Sequence, residues 1–457
     1  MRCIRILIFW SYNIMKLIRA ITMRNFILLC MMLLGLTAAA QIRGTEITVT
    51  VTPDHKDWTY VTGEKVNFTV SVLRSGTLVD NAEISYELGP EMYPTEKKDL
   101  TLKTGQGTIS GKLTKPGFLR LKATAHVDGK DYQGMCTAAV SPEQLKPYAE
   151  KPADFDAFWA KALEEARWTA LEPTFEFLPE RSTPKVNTYH VSFQNDRWGR
   201  RVYGILNVPT KPGKYPALLR VPGAGVRPYG GDQWTAAKGV IVLEIGIHGI
   251  PVIKEQAYYD QLFTAALADY WTHGLNDRNK NYYKHVVTGA VRANDLIAAL
   301  GHEANPMGSQ VEWDGKNLAV TGSSQGGFLS LAVAGLDKRV SCYGAVHAAM
   351  CDHVASLHKV ACGWPHYWYQ NDNPDPREVS EGAYYDGVNF ARCITCPGWF
   401  SFGYNDDVVP PTTAWATYNT VTAPKEIRPY QLTGHFWYQG QWDEWQAWLL
   451  KHLGVNE

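Results

Sequence analysis

Leu318-Ala319-Val320-Thr321-Gly322-Ser323-Ser324-Gln325-Gly326-Gly327 decides the reading of this chain. Leu318, Ala319 and Val320 have the character of the end of a buried strand. The apolar run from Phe328 to Leu336 predicts a helix. Between them, Gly322-Ser323-Ser324-Gln325-Gly326 fits G-x-S-x-G, the strand–turn–helix pattern of a nucleophile elbow. The glycines leave room for a sharp turn that lifts one hydroxyl out at the top of a sheet. Register selects Ser324, because it alone has glycine two residues before and two after. Taken alone, the pentapeptide also fits an ordinary Gly/Ser-rich turn, so its surroundings must decide.

Outward from the elbow, strands and helices alternate. Val202 to Val208, Tyr215 to Val221 and Gly239 to Ile245 are expected as strands. The last, Val-Ile-Val-Leu-Glu-Ile, lacks polar alternation, as expected of a strand covered on both faces. Tyr282 to Leu300 reads as a long helix. Strands near Val340 to Val346, Trp399 to Gly403 and Ile427 to Gln431 follow the elbow, and a helix from Trp442 to Leu453 closes the chain. This is an α/β doubly wound pattern.

A serine nucleophile needs a base and a group to orient it, and in this class they follow in the order Ser, Asp, His, each after a strand. Asn405-Asp406-Asp407 follows the strand at Trp399, and Leu432-Thr433-Gly434-His435 follows the strand at Ile427. His435 is therefore the candidate general base and Asp406 the candidate acid, with Asp407 its neighbour and competitor. A lone Asp in a turn or a lone His near a C-terminal helix is usually structural; the ordered set after successive strands is the stronger signal. The oxyanion hole is expected to use the backbone N–H of Gln325 and one from Pro222-Gly223-Ala224, with Ala224 the candidate.

Upstream the pattern changes. From Gln41 to Val140 short strands alternate with period two: Val66, Phe68, Val70 and Val72; Ala82, Ile84, Tyr86 and Leu88; Leu119, Leu121, Ala123 and Ala125. Ser75-Gly76, Lys115-Pro116-Gly117 and Asp128-Gly129 mark turns. An all-β sandwich of immunoglobulin-like size is expected over residues 41–145, without a catalytic cluster; spacing, oligomer contact and carbohydrate binding are its candidate roles. The α/β unit is expected over 146–457. It starts with a helix from Phe155 to Arg167 that Asp154 would N-cap, with Phe155, Phe158, Trp159 and Ala162 as its apolar stripe.

The first forty residues carry Arg2, Arg5, Lys16, Arg19 and Arg24 and no acid. The apolar run Phe26 to Leu36 and Thr37-Ala38-Ala39-Ala40 follow. This is the composition of a secretory signal, expected over residues 1–40, and Met15 or Met23 are alternative starts. The run is short for a transmembrane helix, so a secreted or periplasmic protein without a stable membrane span is expected. All 457 residues balance 45 basic against 45 acidic side chains; without the five leader cations the remainder is mildly acidic. That charge excludes an electrostatic nucleic-acid partner. Cys393-x-x-Cys396 lacks a second ligand pair, so zinc is not expected, and Cys396 reads as a buried thiol. The 16 Trp and 24 Tyr include the run Trp364-Pro365-His366-Tyr367-Trp368-Tyr369, which could form a sugar platform or simply pack.

From about Tyr148 to Leu453 the chain resembles carbohydrate esterases of the acetylxylan esterase/cephalosporin C deacetylase type. The resemblance is carried by Asp154-Phe155-Asp156-x-Phe158-Trp159, Tyr282-Tyr283-Lys284 with Arg292-Ala293, and Gly322-x-Ser324-Gln325-Gly326-Gly327. Asp386-x-x-Asn389-Phe390-Ala391, Asp406-x-x-x-Pro410-Pro411, Tyr418-Asn419, Lys425-Glu426 and Gly434-His435 complete it. It implies an α/β-hydrolase fold and cofactor-free, metal-free deacetylation of acetylated carbohydrate through an acetyl-enzyme. It also allows for a homo-oligomer. Two positions depart from that family. Pro222-Gly223-Ala224 stands where the family usually has His-Gly-Tyr, and Gly246-Ile247-His248-Gly249 where it tends to have Asp-x-Arg-Gly. Both put acyl size and substrate in question. A peptidase or larger-acyl esterase on the same fold, and a non-catalytic glycan-binding protein, are the competing readings.

Overall fold

A computed structural model of the chain describes residues 46–301, 307 and 310–455. The expected leader, residues 1–40, lies outside the described residues.

The N-terminal part is a two-sheet β-sandwich. Strands Ile47–Pro53, Val66–Arg74, Thr77–Leu78 and Gln106–Gly111 form one antiparallel sheet. Thr59–Tyr60, Lys130–Val140, Gly117–Val127, Ala82–Pro90 and Glu96–Leu102 pair in that order in the other. The inward positions of the alternation meet between the sheets: Val66, Phe68, Val70, Leu121, Ala123 and Ala125 are fully buried. Asp128 and Gly129 both have positive φ, 51° and 72°, and close a two-residue hairpin with Val127 opposite Lys130. That turn pins the register of the long pair that carries Arg120.

The second part is a nine-stranded sheet. Its spatial order is Thr174–Phe177, Val186–Gln194, Arg201–Pro209, Ile241–Gly246, Gly213–Arg220, Val311–Ser323, Cys342–Val346, Gly398–Gly403, Lys425–Tyr430. The first four pair antiparallel and the remainder parallel. Successive residues on the central strands serve opposite faces. Leu219, Leu243 and Val320 pack with the helices Tyr282–Ala299 and Gln325–Leu336. Leu218, Val242 and Ala319 pack under Trp445 and Leu449 of the closing helix Gln439–His452. Each such fully buried aliphatic contributes roughly 1.5–3 kcal/mol, so continuous apolar strands are what a sheet covered on both faces selects. Among the described residues no helix is long and apolar enough to cross a membrane.

Two sequence expectations need correction. Asp154 precedes the helix Phe155–Arg167 but its side chain does not cap it. The carboxylate instead accepts from Arg278 at 3.1 Å and from the Tyr384 hydroxyl. A charge-assisted pair outcompetes a backbone N–H there. Cys396 is half-buried rather than buried, because it lies in the loop just before the strand Gly398–Gly403. The six described cysteines are free thiols.

Candidate active site

Ser324 sits between the strand Val311–Ser323 and the helix Gln325–Leu336 with φ 61° and ψ −124°. This is strained for a residue with a side chain, and the surroundings hold it. Its N–H donates to Val346 O at 2.9 Å; its carbonyl accepts from Ala349 N at 3.0 Å and Phe328 N at 3.2 Å. The flanking glycines are required by space. A Cβ on Gly322 would lie 2.5 Å from Val221 O, and one on Gly326 2.4 Å from the same oxygen. The loop after Gly213–Arg220 therefore packs directly on the elbow, and the Cβ direction of Gly223 points to Ser324 Cβ at 3.7 Å.

That loop is tied to the elbow through buried side chains. Gln325 Oε1 accepts from the hydroxyls of Tyr270 at 2.6 Å and Tyr283 at 2.8 Å, and Gln325 Nε2 donates to Pro222 O at 3.3 Å. The Tyr270 hydroxyl accepts from Gly225 N at 3.3 Å. Gly225 O is 3.1 Å from His248 Nε2, and His248 Nδ1 is 2.7 Å from the Tyr282 hydroxyl. Burial lowers the His248 pKa to about 4, so the ring is neutral near pH 7. The network assigns its proton to Nε2, donating to Gly225, while Tyr282 donates to Nδ1. His248, a departure from the family pattern, thus braces the loop that carries Ala224. The backbone N–H of Gln325 lies in the first turn of its helix, where amides have no intrahelical partner.

Asp406 and His435 are brought together. Asp406 is fully buried, and its Oδ2 accepts from His435 Nδ1 at 2.8 Å. Its Oδ1 accepts from the N–H groups of Val408 at 3.0 Å and Val409 at 2.8 Å. Asp407, its sequence competitor, is exposed. His347 follows the strand Cys342–Val346 with φ 42°. Its Nδ1 lies 3.1 Å from Asp406 Oδ2, close enough for charge but off the line a full hydrogen bond needs. Burial alone would raise the Asp406 pKa; the two imidazoles override it and hold the carboxyl well below its ordinary range. The His347 and His435 rings are 5.1 Å apart, and Ser324 is bonded to the residue before His347. Among the described residues no hydrogen bond joins the Ser324 hydroxyl to His435. The donor atoms of His347, Asp406 and His435 lie within 4.8 Å of one another, a spacing a metal ion could bridge, although proton transfer would use the same atoms.

Three participants escaped sequence reasoning. His347 carried one usable signal, its place at the carboxyl end of the strand beside the elbow. Arg120 and Glu91 carried none. Both belong to the sandwich, yet Arg120 Nη2 donates to Asp406 O at 2.9 Å, to Tyr404 O at 3.1 Å and to Glu91 Oε1 at 3.1 Å. Glu91 Oε2 accepts from Thr412 N at 3.3 Å and from the Thr412 hydroxyl. Burial raises the Glu91 pKa to about 7 against the opposing pull of Arg120. Met135, also of the sandwich, accepts from Asn405 Nδ2 at 3.2 Å. The acid loop is thus held from below by the other half of the molecule. Arg120→Ala is expected to strip two carbonyls and a buried carboxylate of their partner, destabilising the fold by about 3–5 kcal/mol. Denaturant unfolding checks this; a loss under 1 kcal/mol would show the clamp to be weak.

The aromatic run after the elbow helix mostly packs. Trp368 is buried, Trp364 lies edge-on to Trp271 at 5.2 Å, and the Tyr367 hydroxyl donates to Trp271 O at 2.6 Å.

Comparison with known proteins converges on one group. The sequence pattern of the acetyl xylan esterase family (AXE1) matches residues 135–452. An acetyl esterase from Xylanibacter ruminicola is 40% identical over 409 residues, covering 88% of this chain and 90% of that protein. The acetyl xylan esterase of a Paenibacillus species superposes with a TM-score of 0.57 at 25% identity, covering 68% of this chain and 98% of the other. Acetyl xylan esterase 1 from a Thermoanaerobacterium species has the same fold, with a TM-score of 0.56 at 24% identity over 68% of this chain and 97% of its own.

Proposed function

Because this chain belongs to the acetyl xylan esterase family, we propose that Ser324, His435 and Asp406 are its catalytic triad and acetylated xylan-type polysaccharide its substrate. The chain is a carboxylic ester hydrolase of the α/β-hydrolase fold. One observation carries the residue assignment: the matched region contains both the Ser324 elbow and the 2.8 Å Asp406–His435 pair.

In the proposed reaction His435 Nε2 takes the proton of the Ser324 hydroxyl as it attacks the acetyl carbonyl. Contacts of this kind are often long in a free enzyme and tighten on the substrate. Charge developing on the carbonyl oxygen is met by the backbone N–H groups of Gln325 and Ala224, the former at a helix N-terminus. His435 then returns the proton to the departing sugar hydroxyl, leaving an acetyl-enzyme that water hydrolyses by the reverse roles. Asp406 keeps the His435 proton on Nδ1 and stabilises the imidazolium.

The leader composition of residues 1–40 supports export, to the periplasm or beyond the cell, where polysaccharide is met. A homo-oligomer is compatible with this reading.

The deciding experiment compares acyl groups. Purified protein is expected to release acetate from acetylated xylooligosaccharides. It should also favour aryl acetate over aryl butyrate by at least about tenfold in kcat/KM, the usual worth of a methylene or two in a closed pocket. No acetate from a panel of acetylated glycans would sink the substrate; a preference for butyrate would reassign the acyl group.

A further inference from the structure

A groove of about 920 Å³ lies between the sandwich and the α/β unit, and Asp407, the residue after the triad acid, is part of its lining. We propose that this groove is a glycan subsite, in which the sandwich supplies one wall and holds the main chain of the polysaccharide while an acetyl group reaches Ser324. The proposal rests on the esterase reading above.

Three observations carry it. First, the groove is built jointly. Tyr93 of the sandwich and Tyr369 of the α/β unit meet edge to face at 5.6 Å. The Tyr369 hydroxyl donates to Met92 O at 3.0 Å, and the Tyr93 hydroxyl donates to Ser356 O at 3.4 Å. Two half-buried rings are thus fixed by bonds across the domain boundary and present apolar surface beside polar groups, which suits a sugar ring.

Second, the groove is electrically balanced. Lys97 pairs with Glu87 at 2.6 Å, Lys359 pairs with Asp372, and Arg120 is engaged by Glu91 and the acid-loop carbonyls. What remains is Lys122 and Gln133 on one wall and Gln370 and Asp407 on the other. That is hydrogen-bonding capacity of both signs with little net charge, which suits a neutral hydroxyl-rich chain.

Third, the groove adjoins the acid loop. Arg120 lines it and donates to the carbonyl of Asp406 itself. A chain lying there is directed past the acid loop, and its occupancy is felt by the loop that orients His435. The volume lies at the upper end of what ordinary ligand sites enclose, room for more than one sugar.

The test separates this subsite from the chemistry. Tyr93→Ala and Tyr369→Ala are compared with wild type on acetylated xylooligosaccharides and on a small aryl acetate. The ratio of the two kcat/KM values is expected to fall about tenfold, through a higher KM for the oligosaccharide. A tenfold effect is the size expected when one anchoring ring is lost. Lys122→Ala with Gln133→Ala gives a second reading, from side chains that carry no core packing. An unchanged ratio in all variants overturns the proposal, and so does an equal loss on both substrates. Calorimetric titration of unacetylated xylooligosaccharide into Ser324→Ala reads the groove without turnover. Binding weakened about tenfold by adding Tyr93→Ala supports it, whereas no binding, or binding indifferent to Tyr93, refutes it. Failure of wild type to release acetate from any glycan counts against acetylated glycan as the substrate alone, because the titration still judges the groove.

Discussion

Ser324→Ala is expected to lower kcat/KM on aryl acetate and on acetylated oligosaccharide by about four to six orders of magnitude, with the fold intact. The size follows from removing the nucleophile of a unit whose members act together; what survives comes from binding and oxyanion stabilisation alone. The fold survives because the hydroxyl carries no structural duty. The elbow is held by the backbone: Ser324 N on Val346 O, and Phe328 N and Ala349 N on Ser324 O. The left-handed φ of 61° costs alanine about what it costs serine, so the variant adds no new strain. The check is acetate release, together with covalent labelling by an organophosphate. Mass spectrometry should place the label on Ser324 in wild type and find none in the variant. Residual activity above a tenth of wild type would move the nucleophile elsewhere, and Ser323 would be the next residue to test.

The elbow was legible in the sequence because its glycines stand between the end of a buried strand and an apolar helix. Val221 O approaches within 2.5 Å of where a side chain on Gly322 or Gly326 would begin, so a serine flanked in this way announces the turn. The strands were legible for a similar reason. Leu218 and Leu219, or Ala319 and Val320, serve opposite faces of a sheet buried on both, and only continuous apolar runs do that. The meeting of Asp406 and His435 followed from topology, since parallel neighbours deliver the ends of successive strands to one edge.

What stayed hidden is non-local. Arg120 occupies an outward position between Leu119 and Leu121, where alternation asks only for a polar residue. Its partner carbonyl lies 286 residues further on, and no local pattern encodes that meeting. His347 looked like any polar residue closing a buried strand; its approach to Asp406 depends on a positive φ that a non-glycine sequence does not advertise. His248 was visible only as a departure from family pattern. Its role as a brace needed the Tyr282 hydroxyl on one side and Gly225 O on the other.

Asp406→Asn tests the orienting pair most severely, with kcat expected to fall about ten-thousandfold. The substitution is nearly isosteric. Asparagine Oδ1 can keep the N–H groups of Val408 and Val409, so the loop retains the bonds that shape it. The change falls on the other atom. An amide NH₂ facing His435 Nδ1 is a donor where the wild type has an acceptor. His435 must then present a lone pair at Nδ1 and carry its proton on Nε2, the tautomer that cannot accept the Ser324 proton. His347, whose Nδ1 lies 3.1 Å from the same carboxylate oxygen, loses a neighbouring acceptor as well. The variant also has a pH signature. The folded pKa of Asp406 is depressed, so its ionised form contributes stability that is present above the ordinary carboxylate range and lost as pH falls through the folded value. Asparagine cannot titrate, so the acid-side loss of thermal stability should be shallower in the variant than in wild type, while near neutral pH the variant is the less stable of the two. Melting curves carried down to about pH 2 from pH 8, with acetate release measured in parallel, provide the measurement. Retention of more than a tenth of kcat, or an acid limb of stability identical to wild type, would show that Asp406 does not hold the proton of His435 in place.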